Sequence, residues 1–181
     1  YCLCGGCHIG RSEPGIFILL FILLLGIFYA FSLIAAVYSA PYVGSRKRDI
    51  QNMLALAQIR PGMKVLELGS GKGSLCVLSG QKGACALGLE INPVLVVYNK
   101  MLSLMHGAGR RARFKWVNFW KFKLPADTEV VYLYLLPEYM SRVWDKLERE
   151  LKPGTRVISN GFVFKNQKIC QKQGNASLYI L

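Results

Sequence analysis

Three glycines at alternate positions, placed directly after a short apolar run, constrain this chain more than any other feature. Lys64-Val65-Leu66-Glu67-Leu68 has the make-up of a short buried strand, and Gly69-Ser70-Gly71-Lys72-Gly73 follows it without a spacer. Glycine has no Cβ, so such a turn lets the backbone approach a ligand where any side chain would collide. Pro61-Gly62 gives the strand a clean start. Ser74 to Ser79 can open a helix whose free N–H groups point back at the turn. Glu67 falls at the strand's carboxyl end. An acid there is a poor neighbour for a phosphate and a good one for an amine or hydroxyl group.

The glycine spacing excludes two common phosphate binders. A P-loop needs Gly-x-x-x-x-Gly-Lys-Ser/Thr. Here Gly73 follows Lys72, and Leu66 stands five residues before Gly71. A dinucleotide fingerprint needs Gly-x-Gly-x-x-Gly, and its third glycine position holds Ser74. What remains is acid-x-Gly-x-Gly-x-Gly, a pattern that an ordinary strand-to-helix turn can also carry.

Upstream, residues 1–15 form a short tail whose Cys4-Gly-Gly-Cys7-His8 matches the haem-attachment pattern. So short a tail cannot build a haem pocket, and an incidental motif is expected, with no metal assigned. The first residue is Tyr1, so a start further upstream or a processing event is expected. Residues 16–38 carry no charge and show no polar face. At 1.5 Å per residue a helix here would be about 34 Å long, enough to cross a bilayer's hydrocarbon. A transmembrane helix is therefore expected, with membrane lipid as its partner. Pro41 after Ala40 argues against signal-peptide cleavage. Arg46-Lys47-Arg48 on one side outweigh Arg11 and Glu13 on the other, which puts the following domain on the cytoplasmic side, or the matrix side of an organelle.

Pro41-Tyr42-Val43-Gly44 reads as a hinge, and residues 41–181 as one domain. All but one of the 23 Lys and Arg lie in its neighbourhood, from residue 46 onward, and the net charge of +13 suits an anionic partner, lipid or nucleic acid. Cys76, Cys85 and Cys170 lie far apart in apolar surroundings and read as reduced, buried residues. Residues 49–59 have helical spacing. Residues 84–90 read as a second strand ending in Glu90, one strand–helix–strand interval beyond Glu67. A carboxylate at that place can accept both hydroxyls of a ribose, although an ordinary strand-end acid fits equally. Ile91-Asn92-Pro93 opens the next helix.

Residues 113–117 alternate as a third strand that runs into Asn118-Phe119-Trp120. Asn118 could hydrogen-bond an adenine edge and Phe119 stack beside it; simple core packing is the alternative for both rings. Residues 129–134 supply a fourth strand, followed by a helix to about Leu151 with Met140, Val143, Trp144, Leu147 and Leu151 on one face. Residues 155–164 supply a fifth strand, and Gly174-Asn175 can turn a closing hairpin. Such alternation implies an α/β fold with a mostly parallel, doubly wound sheet and its ligand at the strands' carboxyl ends. Glu67, Glu90, Asn118 and Tyr134 all fall at that edge.

The acid-x-Gly-x-Gly-x-Gly turn in this setting resembles motif I of the class I S-adenosylmethionine-dependent methyltransferases. Residues 67–74, Gly88 to Pro93, 118–120, Leu133 to Glu138 and 151–162 narrow the likeness. Together they resemble the membrane-anchored protein-lysine methyltransferases related to the methyltransferase of the ATP synthase c-subunit. The resemblance implies a Rossmann-like domain, S-adenosyl-L-methionine as cofactor and a protein lysine ε-amine as acceptor. It implies cofactor contacts at Glu67, Gly69, Ser70, Gly71, Gly73, Glu90, Ile91, Asn118 and Phe119. Lys72 departs from the family's usual Asp and brings a cation near the sulfonium unless it points to solvent. Tyr134 is the candidate for orienting the amine, with Tyr42 a second. The lack of an Asn/Asp-Pro-Pro-aromatic sequence after the fourth strand argues against a nucleic-acid acceptor. An RNA or small lipophilic acceptor, and a non-catalytic nucleotide- or partner-binding domain, are the competing readings.

Overall fold

The computed structural model describes the backbone of residues 14–38 and 46–181, and the side chains of residues 15–30 and 46–181. The Cys4/Cys7/His8 motif and the hinge with Tyr42 lie outside the described residues. The chain divides into two compact units, Tyr1–Tyr38 and Ser39–Leu181.

In the first unit, α1 (Pro14–Tyr38) is a single helix of 25 residues. Its large apolar side chains from Ile16 to Tyr29 are all at least 50% exposed. Among the described residues no helix is long and apolar enough to cross a membrane. The described side chains of α1, residues 15–30, cover about 24 Å against a hydrocarbon thickness of ~30 Å. The expectation of a transmembrane helix over 16–38 finds no support there.

The second unit runs α2 (Lys47–Ala57), β1 (Lys64–Leu68), α3 (Ser74–Gln81), β2 (Cys85–Glu90), α4 (Pro93–Met105) and β3 (Ala112–Trp116). It continues with β4 (Val130–Leu133), α5 (Pro137–Glu150), β5 (Arg156–Asn160), β6 (Gln171–Gln173) and β7 (Ala176–Ile180). The seven strands form one sheet in the order β3-β2-β1-β4-β5-β7-β6. The first five are parallel, and β7 and β6 close the sheet as an antiparallel hairpin. This is the expected Rossmann-like, mostly parallel arrangement. Its strand order reverses between β1 and β4, the place where such sheets open a crevice at their carboxyl ends.

Central strands of a parallel sheet are covered on both faces and so read as nearly continuous apolar runs. β4 is buried along its whole length, and β1 at all but Lys64. Val65, Ala86, Val130, Tyr132 and Ile158 pack under α2 and α3 on one face. Leu66, Leu68, Leu89, Val131, Leu133 and Val157 pack on the other face against the Met140-Val143-Trp144-Leu147 stripe of α5. The fifth strand is shorter than the sequence suggests: it ends at Asn160, where Gly161 turns the chain with φ +77°. Cys76 is buried as expected, but Cys85 and Cys170 are exposed. Cys85 pairs with exposed Lys64 at the open starting edge of the sheet, where apolar neighbours in sequence do not bring cover.

Candidate active site

The turn after β1 takes its shape from glycines in a conformation that L-residues avoid. Gly69, Gly71 and Gly73 have φ of +70°, +49° and +66°. Three sets of bonds fix it. The N–H groups of Gly69 and Ser70 both donate to the Leu89 carbonyl, at 2.9 and 3.0 Å. Gly73 N–H donates to the Ser70 carbonyl at 2.7 Å. Asn99 Nδ2, from α4, donates to the Gly71 carbonyl at 2.8 Å. The glycines then differ in what surrounds them. A Cβ at Gly73 would stand 2.7 Å from the Phe114 ring, so Gly73 exists for packing. A Cβ at Gly69 would meet no atom within 4 Å, so the backbone there is bare. Ser70 Oγ is buried with no hydrogen-bond partner among the described residues. A bare backbone beside an unsatisfied hydroxyl fits a polar ligand lying along the turn.

Glu90 clasps this turn to the next one. Its Oε2 accepts from Gly71 N–H at 2.8 Å and its Oε1 accepts from Asn92 N–H at 2.9 Å. Asn92 in turn caps α4, its Oδ1 accepting from Val94 N–H at 2.9 Å, with Pro93 in the first turn. A carboxylate offers about four lone-pair sites, so each oxygen of Glu90 keeps one for a ligand. Two free acceptors side by side fit a vicinal diol such as a ribose.

Glu67 lies on the same face of the sheet. It is opposite Gly88 in register, and Gly88 is two residues from Glu90. Glu67 is only 8% exposed, and its Oε2 accepts from Cys76 N–H at 3.3 Å. Burial pushes its carboxyl up to about 8, and the neighbouring charge of Glu90 adds to the rise. It is therefore mostly a neutral acid at neutral pH. An acid whose folded value is raised favours the fold below its ordinary value of 4.5, and that advantage is lost as pH climbs to about 8. Thermal or urea unfolding between pH 5 and 9 should show a decline worth up to about 4–5 kcal/mol. Glu67→Gln, which keeps the shape and cannot ionise, should flatten it.

The remaining expected residues take the following places. Val117 N–H donates to the Glu90 carbonyl at 2.9 Å and Trp116 Nε1 donates to the Ile91 carbonyl at 2.9 Å. These bonds bring the end of β3 beside Glu90 and Ile91, and Asn118 follows. Asn118 Oδ1 accepts from Trp120 N–H at 2.9 Å, which leaves its Nδ2 as the group able to donate to a base edge. Phe119 is half-buried against the α5-side core, its ring centroid 4.6 Å from that of Trp120, so it serves packing whatever else it touches. Lys72 is exposed and points to solvent. Tyr134 follows β4, across β1 from Glu90, with its ring near Gly161 and Phe162.

Two side chains at this edge escaped the sequence reading. Asn99, within α4, is fully buried and holds the turn. Its signal was its spacing from Ser103, also buried, one helical turn on. Asn160 closes β5 with 2% exposure, and its Oδ1 has no partner among the described residues.

Known proteins share this architecture and much of this sequence. Residues 67–171 match the model of the ANTKMT methyltransferase domain. A mouse adenine nucleotide translocase lysine N-methyltransferase is 36% identical over 123 residues, which are 67% of this chain and 53% of that protein. A protein-lysine N-methyltransferase from Saccharolobus islandicus is 31% identical over 124 residues, 67% of this chain and 76% of its own. The chain thus spans about half the length of the mouse relative. Among solved structures, an RNA methyltransferase from Salinibacter ruber in complex with S-adenosyl-L-homocysteine superposes with a TM-score of 0.70. It is 26% identical and covers 76% of this chain and 92% of its own. The matched residues begin at Glu67 and take in the glycine turn, the Glu90 clasp and the strand ends that frame the crevice. This chain belongs to the ANTKMT methyltransferase family, within the class I S-adenosylmethionine-dependent methyltransferases.

Proposed function

We propose that the chain transfers a methyl group from S-adenosyl-L-methionine to a lysine ε-amine of a membrane or membrane-associated protein. The observation that carries this reading is the Glu90 carboxylate, fixed at 2.8 and 2.9 Å by two backbone N–H groups and still able to accept from a diol. When bound, the cofactor supplies a methyl on a sulfonium. Glu90 would hold its ribose, Asn118 Nδ2 and Ile91 would meet the base, with Phe119 beside them. Gly69, Ser70, Gly71 and Gly73 would lie along the methionine portion, and Glu67 would sit beneath them as a largely neutral acid.

The protein's share of the work is alignment and the exclusion of water; holding reactants in line is worth about 7–11 kcal/mol. A lysine attacks only when neutral, against an ordinary pKa of about 10.4. Apolar surroundings lower that value. Tyr134, at the β4 end, would orient the amine through its hydroxyl oxygen, a positioning role. The relatives named as lysine methyltransferases support an amine acceptor. A membrane setting is supported by the uncharged run of residues 16–38 in the sequence, which carries no polar face. In this reading residues 16–38 cross the bilayer, and residues 41–181 form the catalytic domain on the cytoplasmic or matrix side.

S-adenosylhomocysteine at a hundredfold its dissociation constant should stabilise the full chain by about 2.7 kcal/mol, a melting shift of about 5–10 °C. No shift would remove the cofactor from the account. Tyr134→Phe should keep that shift while lowering kcat with a lysine acceptor about tenfold. The net charge of +13 favours a second reading, RNA as acceptor. That reading requires salt-sensitive RNA binding.

A further inference from the structure

Helix α4 carries large apolar side chains on its outer side as well as its inner one. Its inward face packs Val96 and Leu102 into the core and carries Asn99 and Ser103, both buried and both committed to backbone carbonyls: Asn99 Nδ2 to Gly71, and Ser103 Oγ to Gly109 and Ala112 at 3.1 and 3.0 Å. Its outward stripe is Val94, Val97, Tyr98, Met101, Leu104 and Met105, between 41% and 79% exposed. These positions repeat at helical spacing, so they form one continuous apolar band rather than scattered side chains. A contiguous exposed band of six large apolar residues marks an interaction surface.

Charge says what covers it. From residue 91 to residue 126 the chain has seven cations and no acid: Lys100, Arg110, Arg111, Arg113, Lys115, Lys121 and Lys123. All seven are exposed; Lys100 lies on α4 itself and Arg110 and Arg111 follow its end, while Arg113 and Lys115 alternate with buried Ala112 and Phe114 and so point to the other face of the sheet. An apolar helical band rimmed by Lys and Arg is the chemistry of a surface that rests in the headgroup layer of an anionic bilayer. A second copy of the chain would instead oppose cations to cations across a two-fold interface.

We infer that the outward face of α4, flanked by Lys100, Arg110 and Arg111, docks on an anionic lipid surface. It does so separately from any insertion of α1. Because Asn99 ties the opposite side of the same helix to the Gly71 carbonyl, the docked face lies directly behind the turn that frames the crevice.

The test uses the full chain with cysteines 2, 4, 7, 85 and 170 changed to Ser, and one environment-sensitive fluorophore per variant. The labels go on Val97→Cys, on Met101→Cys and, as reference, on Asp145→Cys, an exposed position on α5 against the other face of the sheet. Each is mixed with vesicles of phosphatidylcholine alone, or of phosphatidylcholine with phosphatidylserine. The labels at 97 and 101 should shift to the blue and be quenched by nitroxide-bearing lipid in the anionic vesicles only, while the label at 145 stays unchanged. Recruitment through α1 acts on all three variants alike, so the contrast reads α4 alone. Adding Met101→Glu and Leu104→Glu should abolish the response at 97 and leave the S-adenosylhomocysteine melting shift intact. Labels at 97 and 101 that stay in water on anionic vesicles would overturn the inference. So would an equal response on neutral vesicles, or a concentration-dependent shift without vesicles, which would assign the face to a second copy.

Discussion

Gly73→Ala should destabilise the domain by about 2–5 kcal/mol, a large fraction of the ~5–15 kcal/mol that holds a typical domain together. Two causes add. A non-glycine residue at φ +66° loses about 1–2 kcal/mol. Its Cβ would also stand 2.7 Å from Phe114 Cε1 and 2.8 Å from Asn99 Cγ, an overpacking that costs about 1–3 kcal/mol. Displacing Asn99 further loosens the Gly71 carbonyl it holds. Urea unfolding should show a lower midpoint at unchanged slope. Gly69→Ala is the informative partner. No atom lies within 4 Å of its would-be Cβ, so only the backbone cost of about 1–2 kcal/mol applies. That variant should remain folded and lose S-adenosylhomocysteine binding, because the new methyl group fills the space beside the bare backbone. A Gly73 variant as stable as the parent would mean the turn is not packed as described.

Glu90→Ala should have the largest effect on binding. It removes the acceptor for two backbone N–H groups, at 2.8 and 2.9 Å, and two acceptor sites for a diol. Hydrogen bonds to a charged group are worth about 1.5–3 kcal/mol each. The loss of two to a ligand corresponds to a weakening of about 10²–10⁴-fold, readable by calorimetry with S-adenosylhomocysteine. Glu90→Gln separates the two roles. Its amide can accept through one atom only, so one end of the clasp opens while the side chain's volume stays. It should bind more weakly than the parent and more strongly than Glu90→Ala. Equal affinity in all three would take Glu90 out of the site.

Much of this was legible because it depends on local chemistry. Alternate glycines after an apolar run can hardly do anything but turn at a strand end, and Pro93 and Gly174-Asn175 punctuate the chain where α4 begins and the closing hairpin turns. Depth was not legible. Glu67 and Glu90 look alike in sequence, yet one is an anchored clasp and the other a carboxyl under α3 raised to about 8 by burial. That difference depends on which helix lies over which strand, a tertiary fact. Phe119 shows the same limit: an aromatic after a strand packs on the core by default, and only its half-buried state leaves it a second use. Asn99 was not legible because α4 is apolar on both sides, with Val96 in the core and Val97 and Met101 exposed, so its periodicity does not single out the buried polar position. Cys85 was misplaced for a related reason, since an apolar strand still starts at an open edge.

The acceptor is read by incubating the full chain with isolated membranes, RNA and methyl-labelled S-adenosylmethionine. Label should appear on a lysine side chain of a membrane or membrane-associated protein, stable to ribonuclease and absent with Glu90→Ala. Label confined to RNA, or transfer that persists unchanged in Glu90→Ala, would contradict it.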